Sequence, residues 1–204
     1  LHQFYLPQTY FGWLQFTPRI GGRWTHYGET DGTGVSLNDQ DRLLMNTGAE
    51  LSVKASRFYP SASSKWLDLD GLRHIVQPSL NYVFVPRPNK KPSDLPGYEY
   101  ELTSSRLLPI MYPDYNSIDQ IDAQNALRIG LRNRLQTRRN GQVEDFLDWN
   151  LYTDWRLNPL EDQNGFADVF SDLSIRPRSW IAFGSGLRLD IDDDIWRVIN
   201  NSIT

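Results

Sequence analysis

Apolar and polar residues alternate one by one along most of the chain, most cleanly from Leu43 to Ser56. Leu43, Met45, Thr47, Ala49, Leu51, Val53 and Ala55 fall on one side. Asn46, Gly48, Glu50, Ser52, Lys54 and Ser56 fall on the other, with Leu44 the single misfit. A period of two with this contrast predicts a β-strand that has one apolar face. The same rule over 123–136 sets Leu127, Ile129, Leu131 and Leu135 against Gln124, Arg128, Gly130, Arg132, Arg134 and Gln136. Over 147–157 it sets Trp149, Leu151 and Trp155 against Asp148, Asn150, Asp154 and Arg156. Further strands are predicted over 11–27, 72–86, 168–176 and 180–192, and Trp196, Val198 and Ile203 begin another. No stretch carries a helical period. The expectation is an all-β, antiparallel chain of about seven strands and the start of an eighth.

The connections sort by length. A polar stretch, Gly28 to Asp41, is followed by a shorter link around Pro60 to Gly71. Then come a long loop from Arg87 to Ile121, a tight turn at Arg139-Asn140-Gly141, a loop from Asn158 to Ala167 and a tight turn at Pro177-Arg178-Ser179. Long connections at one end of a sheet and short ones at the other are the arrangement of transmembrane barrels. The loop after Arg87 holds Pro88, Pro92, Pro96, Pro109 and Pro113, so it is not a central strand. It is expected outside the cell, folded over a barrel mouth. Asn140-Gly141 suits a two-residue hairpin, but that turn alone would set Leu131 opposite Asn150 and mix the faces. A three-residue loop places Leu131 opposite Trp149, Ile129 opposite Leu151 and Arg132 opposite Asp148. The same arithmetic at the second turn sets Ile175 against Ile181 and Leu173 against Phe183.

Three features point the apolar face at lipid. Several predicted strands exceed the usual 5–6 residues of soluble strands and suffice for a tilted span of about 9–11. Trp13, Trp24, Tyr27, Phe58, Tyr59, Tyr82, Phe84, Trp155 and Trp180 crowd strand ends, as interfacial girdles do. The polar faces are rich in Gly, Ser, Asn, Gln and Arg, which suits a wet interior. A soluble barrel or sandwich is the alternative. Composition narrows the rest. With 21 Lys and Arg against 25 Asp and Glu, the net charge of −4 gives no basis for nucleic-acid binding. A mean hydropathy of −0.54 excludes a bundle of membrane helices. Aromatics at 13% exclude a disordered tail. No Cys is present, so no disulfide or thiolate metal site forms within the chain. The chain opens on Leu1 and stops at Thr204 in the middle of strand-like alternation, which reads as a segment of a longer protein.

Four stretches resemble the LPS-assembly protein (LptD) family. Phe16 to Tyr27 places Pro18, Arg23, Thr25 and Tyr27 at that family's intervals. Gly71-Leu72-Arg73-His74, continuing to Pro78, Tyr82, Val85 and Pro86, is the most specific match. Asp119 to Leu135 supplies Asn125, Gly130, Leu131 and Arg134, and Ser171 to Pro177 ends on Arg176-Pro177. The resemblance runs from about Phe11 onward. It implies a middle-to-late segment, over 1–204, of one transmembrane β-barrel domain, about 7–8 strands of a larger barrel. The periplasmic domain and the terminal strands, between which family members open laterally, are not in it. It further implies the outer membrane of a Gram-negative bacterium and lipopolysaccharide transport without catalysis. The implied partners are lipopolysaccharide, outer-membrane lipid, the plug lipoprotein LptE and the periplasmic bridge protein LptA, with no cofactor. A self-contained small barrel, porin-like or a lipid hydrolase, and a soluble ligand-binding barrel are the other readings.

Candidate chemistry is sparse. His2, His26 and His74 lack a partner at metal-ligand spacing. Ser79 and His74 fall on opposite faces of one strand and cannot pair as nucleophile and base. Asp190, Asp192, Asp193 and Asp194 lack the Gly and closing Glu of a calcium loop, and Lys90-Lys91 reads as a solvated loop tip. Arg128, Arg132, Arg134 and Arg156 share the polar face, with Asp148 and Asp154 near them and Glu50 and Lys54 on the same side of their own strand. Guanidinium forks suit the phosphates of lipid A. Pairing with Asp148 and Asp154 across the hairpin is the plainer use of the same residues.

Overall fold

The computed structural model describes residues 1–32, 35–95, 118–159 and 164–204. The strands are β1 (His2–Tyr5), β2 (Gln8–Tyr10), β3 (Leu14–Tyr27), β4 (Thr30–Gly32), β5 (Val35–Leu37), β6 (Gln40–Val53), β7 (Ala55–Ser64), β8 (Leu69–Val85), β9 (Gln124–Arg139), β10 (Gln142–Arg156), β11 (Val169–Arg178), β12 (Ile181–Asp190) and β13 (Ile195–Ile203). All but β4 and β5 form one antiparallel sheet that follows chain order, β1-β3-β6-β8-β9-β10-β11-β12-β13. The β4–β5 hairpin lies within the first long connection. The sheet is not closed, and β1 and β13 are its edges.

Prolines explain two interruptions. β6 and β7 pair with β8 in one continuous register, Ser52 opposite Ser79 and then Ala55 opposite Val76. The gap lies opposite Pro78, which has no N–H to give that side of the ladder. β1 and β2 likewise share one register along β3, and their gap holds Pro7 opposite Thr17 and Leu6 opposite Pro18. The first of these strands escapes the sequence pattern because Pro7 divides it into pieces of four and three residues.

Register sorts the side chains into two faces. One, the inner face, takes odd positions of β3 and β8 and even positions of β6 and β9, and from Asp148 onward even positions of β10 to β12. Arg19, Arg42, Asn46 and Ser52 are buried on it. The other, outer face carries Ile20, Trp24, Leu43, Met45, Leu80, Phe84, Ile129, Trp149 and Phe183, all exposed. This inverts the arrangement of a protein folded around an apolar core in water. Glu50 of β6 and Asn200 and Ser202 of β13 line one cavity, so the sheet is curled with the polar face inside.

The two ends differ as the alternation of loop lengths predicts, with amendments. Turns at 11–13, 65–68, 140–141 and 179–180 make the short end. Connections 28–39, 86–123 and 157–168 lie at the other end, where the four-residue turn 191–194 is the short exception. The expected link over 60–71 shrinks to 65–68 because β7 runs on to Ser64. Residues 96–117 of the long loop lie outside the described residues.

Both predicted turn registers need correction. Asn140 and Gly141, at φ of 49° and 78°, form the two-residue turn after all, with Arg139 opposite Gln142. A bulge between Asp145 and Leu147 then restores the agreement of faces, so Leu131 lies opposite Leu151 and Arg134 opposite Asp148. At the second turn Arg178 pairs with Ile181, and a bulge absorbs Pro177, so Ile175 faces Phe183 and Leu173 faces Ser185. Two expected girdle residues also move. Tyr27 is buried on the inner face, and Phe58 lies on the side of Arg73 against Gly71.

Candidate functional site

The inner face of β9 to β13, with Glu50, Gln77 and Ser79, encloses a groove of about 620 Å³. Arg132, Asp148, Asn150, Asp172, Ser174, Asn200 and Ser202 supply its polar groups. Its floor is kept low by glycine. A Cβ on Gly130 would stand 2.7 Å from Ser79 Oγ, and one on Gly184 would stand 2.6 Å from Ser202 Oγ. At one end Tyr152 stacks on Phe170, with ring centroids 5.4 Å apart, and donates from its hydroxyl to Asp172 Oδ2 at 3.1 Å. Arg188 crosses the Phe170 ring at 5.4 Å and pairs with Asp168.

The arginines singled out in the sequence share this face, and two of them are held by aspartates. Arg128 holds Asp154 through Nε at 2.7 Å and Nη2 at 2.9 Å. Arg132 reaches diagonally to Asp148, at 2.8 Å and 2.5 Å, because Asn150 is its direct opposite. Such two-pronged pairs leave little guanidinium for a ligand. Arg156 donates to the carbonyls of Asn164 and Phe166 and so fastens its own loop. Arg134 lies opposite Asp148. Glu50 is exposed in the groove wall, and Lys54 is exposed at the break between β6 and β7.

The motif residues divide between the faces. Arg23, Thr25, Tyr27, Arg73 and Gly130 lie on the inner one. His74 pairs with Asn133 Oδ1 at 3.3 Å, and Tyr82 donates to Asn125 Oδ1 at 3.1 Å, both across the outer face, where Pro18 and Pro78 also lie. His74 and Ser79 are on opposite faces, so these two do not pair as nucleophile and base. Among the described residues no group of three His, Asp or Glu could hold a metal ion. Asp190 organises its turn instead, accepting from the amides of Asp192 and Asp193 and pairing with Arg197.

Two arginines that no motif announced are among the most enclosed charges of the described residues. Arg139 has no exposed side-chain surface and donates to the carbonyls of Leu67, Asp68, Arg176 and Pro177, with Glu144 at 3.4 Å. It therefore ties the 65–68 turn to β11 across the end of β10, with the family-like pair Arg176-Pro177 as acceptor. Arg42, at the other end, donates to the carbonyls of Lys90, Ile118, Asp119 and Ile121. The clue available in the sequence was Leu44. It breaks the polar face because Ile118 and Ile121 of the long connection cover it, with Val83, Val85 and Ala126.

The sequence model of LptD, described as LPS transport system D, matches residues 5–204 of the chain. No curated protein matches it.

Proposed function

Because the chain belongs to the LptD family and so to a lipopolysaccharide transport system, we propose that it is a stretch of outer-membrane barrel wall along which lipopolysaccharide passes toward the outer leaflet. In this reading residues 1–204 are middle-to-late strands of one barrel domain in the outer membrane of a Gram-negative bacterium. Further strands of the same protein would complete the wall at β1 and β13, whose edges are open here. The single observation that carries the reading is the inverted sheet. Exposed Trp, Leu, Ile and Met line its outside, whereas arginine, asparagine and serine are buried within. In hydrocarbon every backbone polar group must be paired, which the ladder achieves between its inner strands and the further strands would achieve at its edges.

The inner groove then meets either the saccharide and phosphate of the substrate or the plug lipoprotein LptE, and the short-turn end faces the periplasmic bridge LptA. Its amides, hydroxyls and carboxylates suit a polyhydroxylated ligand. The family is one of transport and not of enzymes. Photocrosslinking in cells tests the reading. A photoreactive residue at Asn150 is expected to give lipopolysaccharide adducts that fade when supply from the inner membrane is stopped. Adducts at Trp24, on the outer face, are expected to persist. An assembled protein that never yields such adducts from Asn150 or Asn200 overturns the proposal.

A further inference from the structure

The interior is unevenly furnished. On the β9–β13 side the groove is open, but on the β3–β8 side the inner wall is covered near the long-connection end. The cover is made of the two described stems of that connection, 87–95 and 118–123. Arg42, with 0% of its surface exposed, grips both. Its Nε donates to Lys90 O at 3.3 Å on the first stem, and its Nη1 to Ile118 O at 3.0 Å and Asp119 O at 3.1 Å on the second. Nη2 donates to Ile121 O. Five smaller contacts follow the same line. Tyr27 Oη donates to Asp119 Oδ1 at 2.6 Å, Gln40 Nε2 to Asp94 O at 3.0 Å, and Asn89 Nδ2 to Asp41 O at 3.0 Å. The Leu43 amide donates to Asn89 Oδ1 at 2.8 Å, and Ile121 seals the apolar knot over Leu44 and Val83.

A guanidinium in this position is costly to leave unpartnered, and so are the carbonyls it serves. The stems therefore stay down together or leave together. We propose that Arg42 is a positioning residue that fixes both stems to the inner wall, keeps the β3–β8 side of the interior filled, and so confines any polar ligand to the groove on β9–β13. The proposal rests on the reading that this face is the interior of a barrel. Its test does not need lipopolysaccharide or a membrane side, so it can fail while that reading stands.

The experiment uses the full-length protein, purified in detergent, and a charged maleimide. Single thiols are introduced by Val83→Cys, beneath the stems, and by Asn150→Cys, in the open groove. Labelling at 83 is expected to be at least about tenfold slower than at 150, as the protection of a site reached only by local opening requires. Adding Arg42→Met is expected to abolish most of that difference while labelling at 150 stays unchanged, and Arg42→Lys to restore part of it. Equal labelling of the two sites with Arg42 in place overturns the proposal. So does continued protection at 83 in a folded Arg42→Met protein, judged by its heat-modifiable mobility. Where Arg42→Met does not fold, Ile121→Ser is read in its place, and unchanged protection there counts against the proposal in the same way.

Discussion

Arg42 and Leu43 are neighbours in β6, yet the guanidinium has no exposed surface while the leucine keeps 52% of its own. The contrast between the two faces holds along the sheet. Trp24 is 66% exposed on the outside, and its neighbour in sequence, Arg23, points inside. In water the outer face would be a contiguous apolar patch far larger than a soluble monomer leaves uncovered. The inner face would be a core filled with charge. Both become ordinary once hydrocarbon lies outside and water inside. The difference between the faces thus supports the proposed solvents more strongly than either face does alone.

The largest effect should come from removing an enclosed charge at the short-turn end. Arg139→Met removes a charged donor from four carbonyls at the short-turn end. Bonds of that kind are worth about 1.5–3 kcal/mol each before water replaces some of them. A loss of about 3–5 kcal/mol is expected in urea unfolding of the full-length protein from micelles. A loss under about 1 kcal/mol would mean that the turns hold themselves together.

The next pair sets one face against the other directly. Leu131→Arg puts a charge on the outer face and should cost roughly 2–4 kcal/mol in a bilayer. Arg132→Leu, one position along, loses a partly exposed ion pair with Asp148 and should cost about 0.2–1 kcal/mol. Equal costs would erase the distinction between the faces.

Smaller still is a steric test of the inner face. Gly48 lies under Arg19, and a Cβ there would stand 2.3 Å from Tyr82 O and 3.0 Å from Arg19 Nη2. Gly48→Ala should therefore cost about 1–3 kcal/mol through overpacking, measured by the same unfolding. Gly12→Ala at a turn has open space, and its φ of +76° leaves backbone strain as its only cost. A Gly48→Ala protein as stable as the parent would show that the inner wall is loosely packed.

How much of this was legible beforehand follows from the physics of each feature. The faces were legible because strand periodicity is local, and six residues of β6, Leu43 to Val53, declared theirs by alternation. The exact pairing was not, because a bulge near Phe146 shifts the register without any turn residue to mark it. The parity came out right there while the partners did not. For the candidate site, Arg128 and Arg132 could be named from their face, and so could Asp148 and Asp154. Arg42 and Arg139 could not, since their acceptors are backbone carbonyls that any sequence supplies. Leu44 alone hinted at one of them, as an apolar residue where the pattern required a polar one.

Whether lipid lies against the outer face is decided by Leu127→Phe combined with Leu131→Phe. Both positions project outward from β9. A close-packed interior would suffer overpacking of about 1–3 kcal/mol at each site, whereas lipid accommodates the added rings. Near-neutral folding of the full-length double variant is expected in detergent or lipid, with Trp149 and Trp155 beside those sites quenched by lipid-borne quenchers. Destabilisation beyond about 3 kcal/mol, with the aromatics shielded from those quenchers, would place that face inside a packed core and contradict lipid contact.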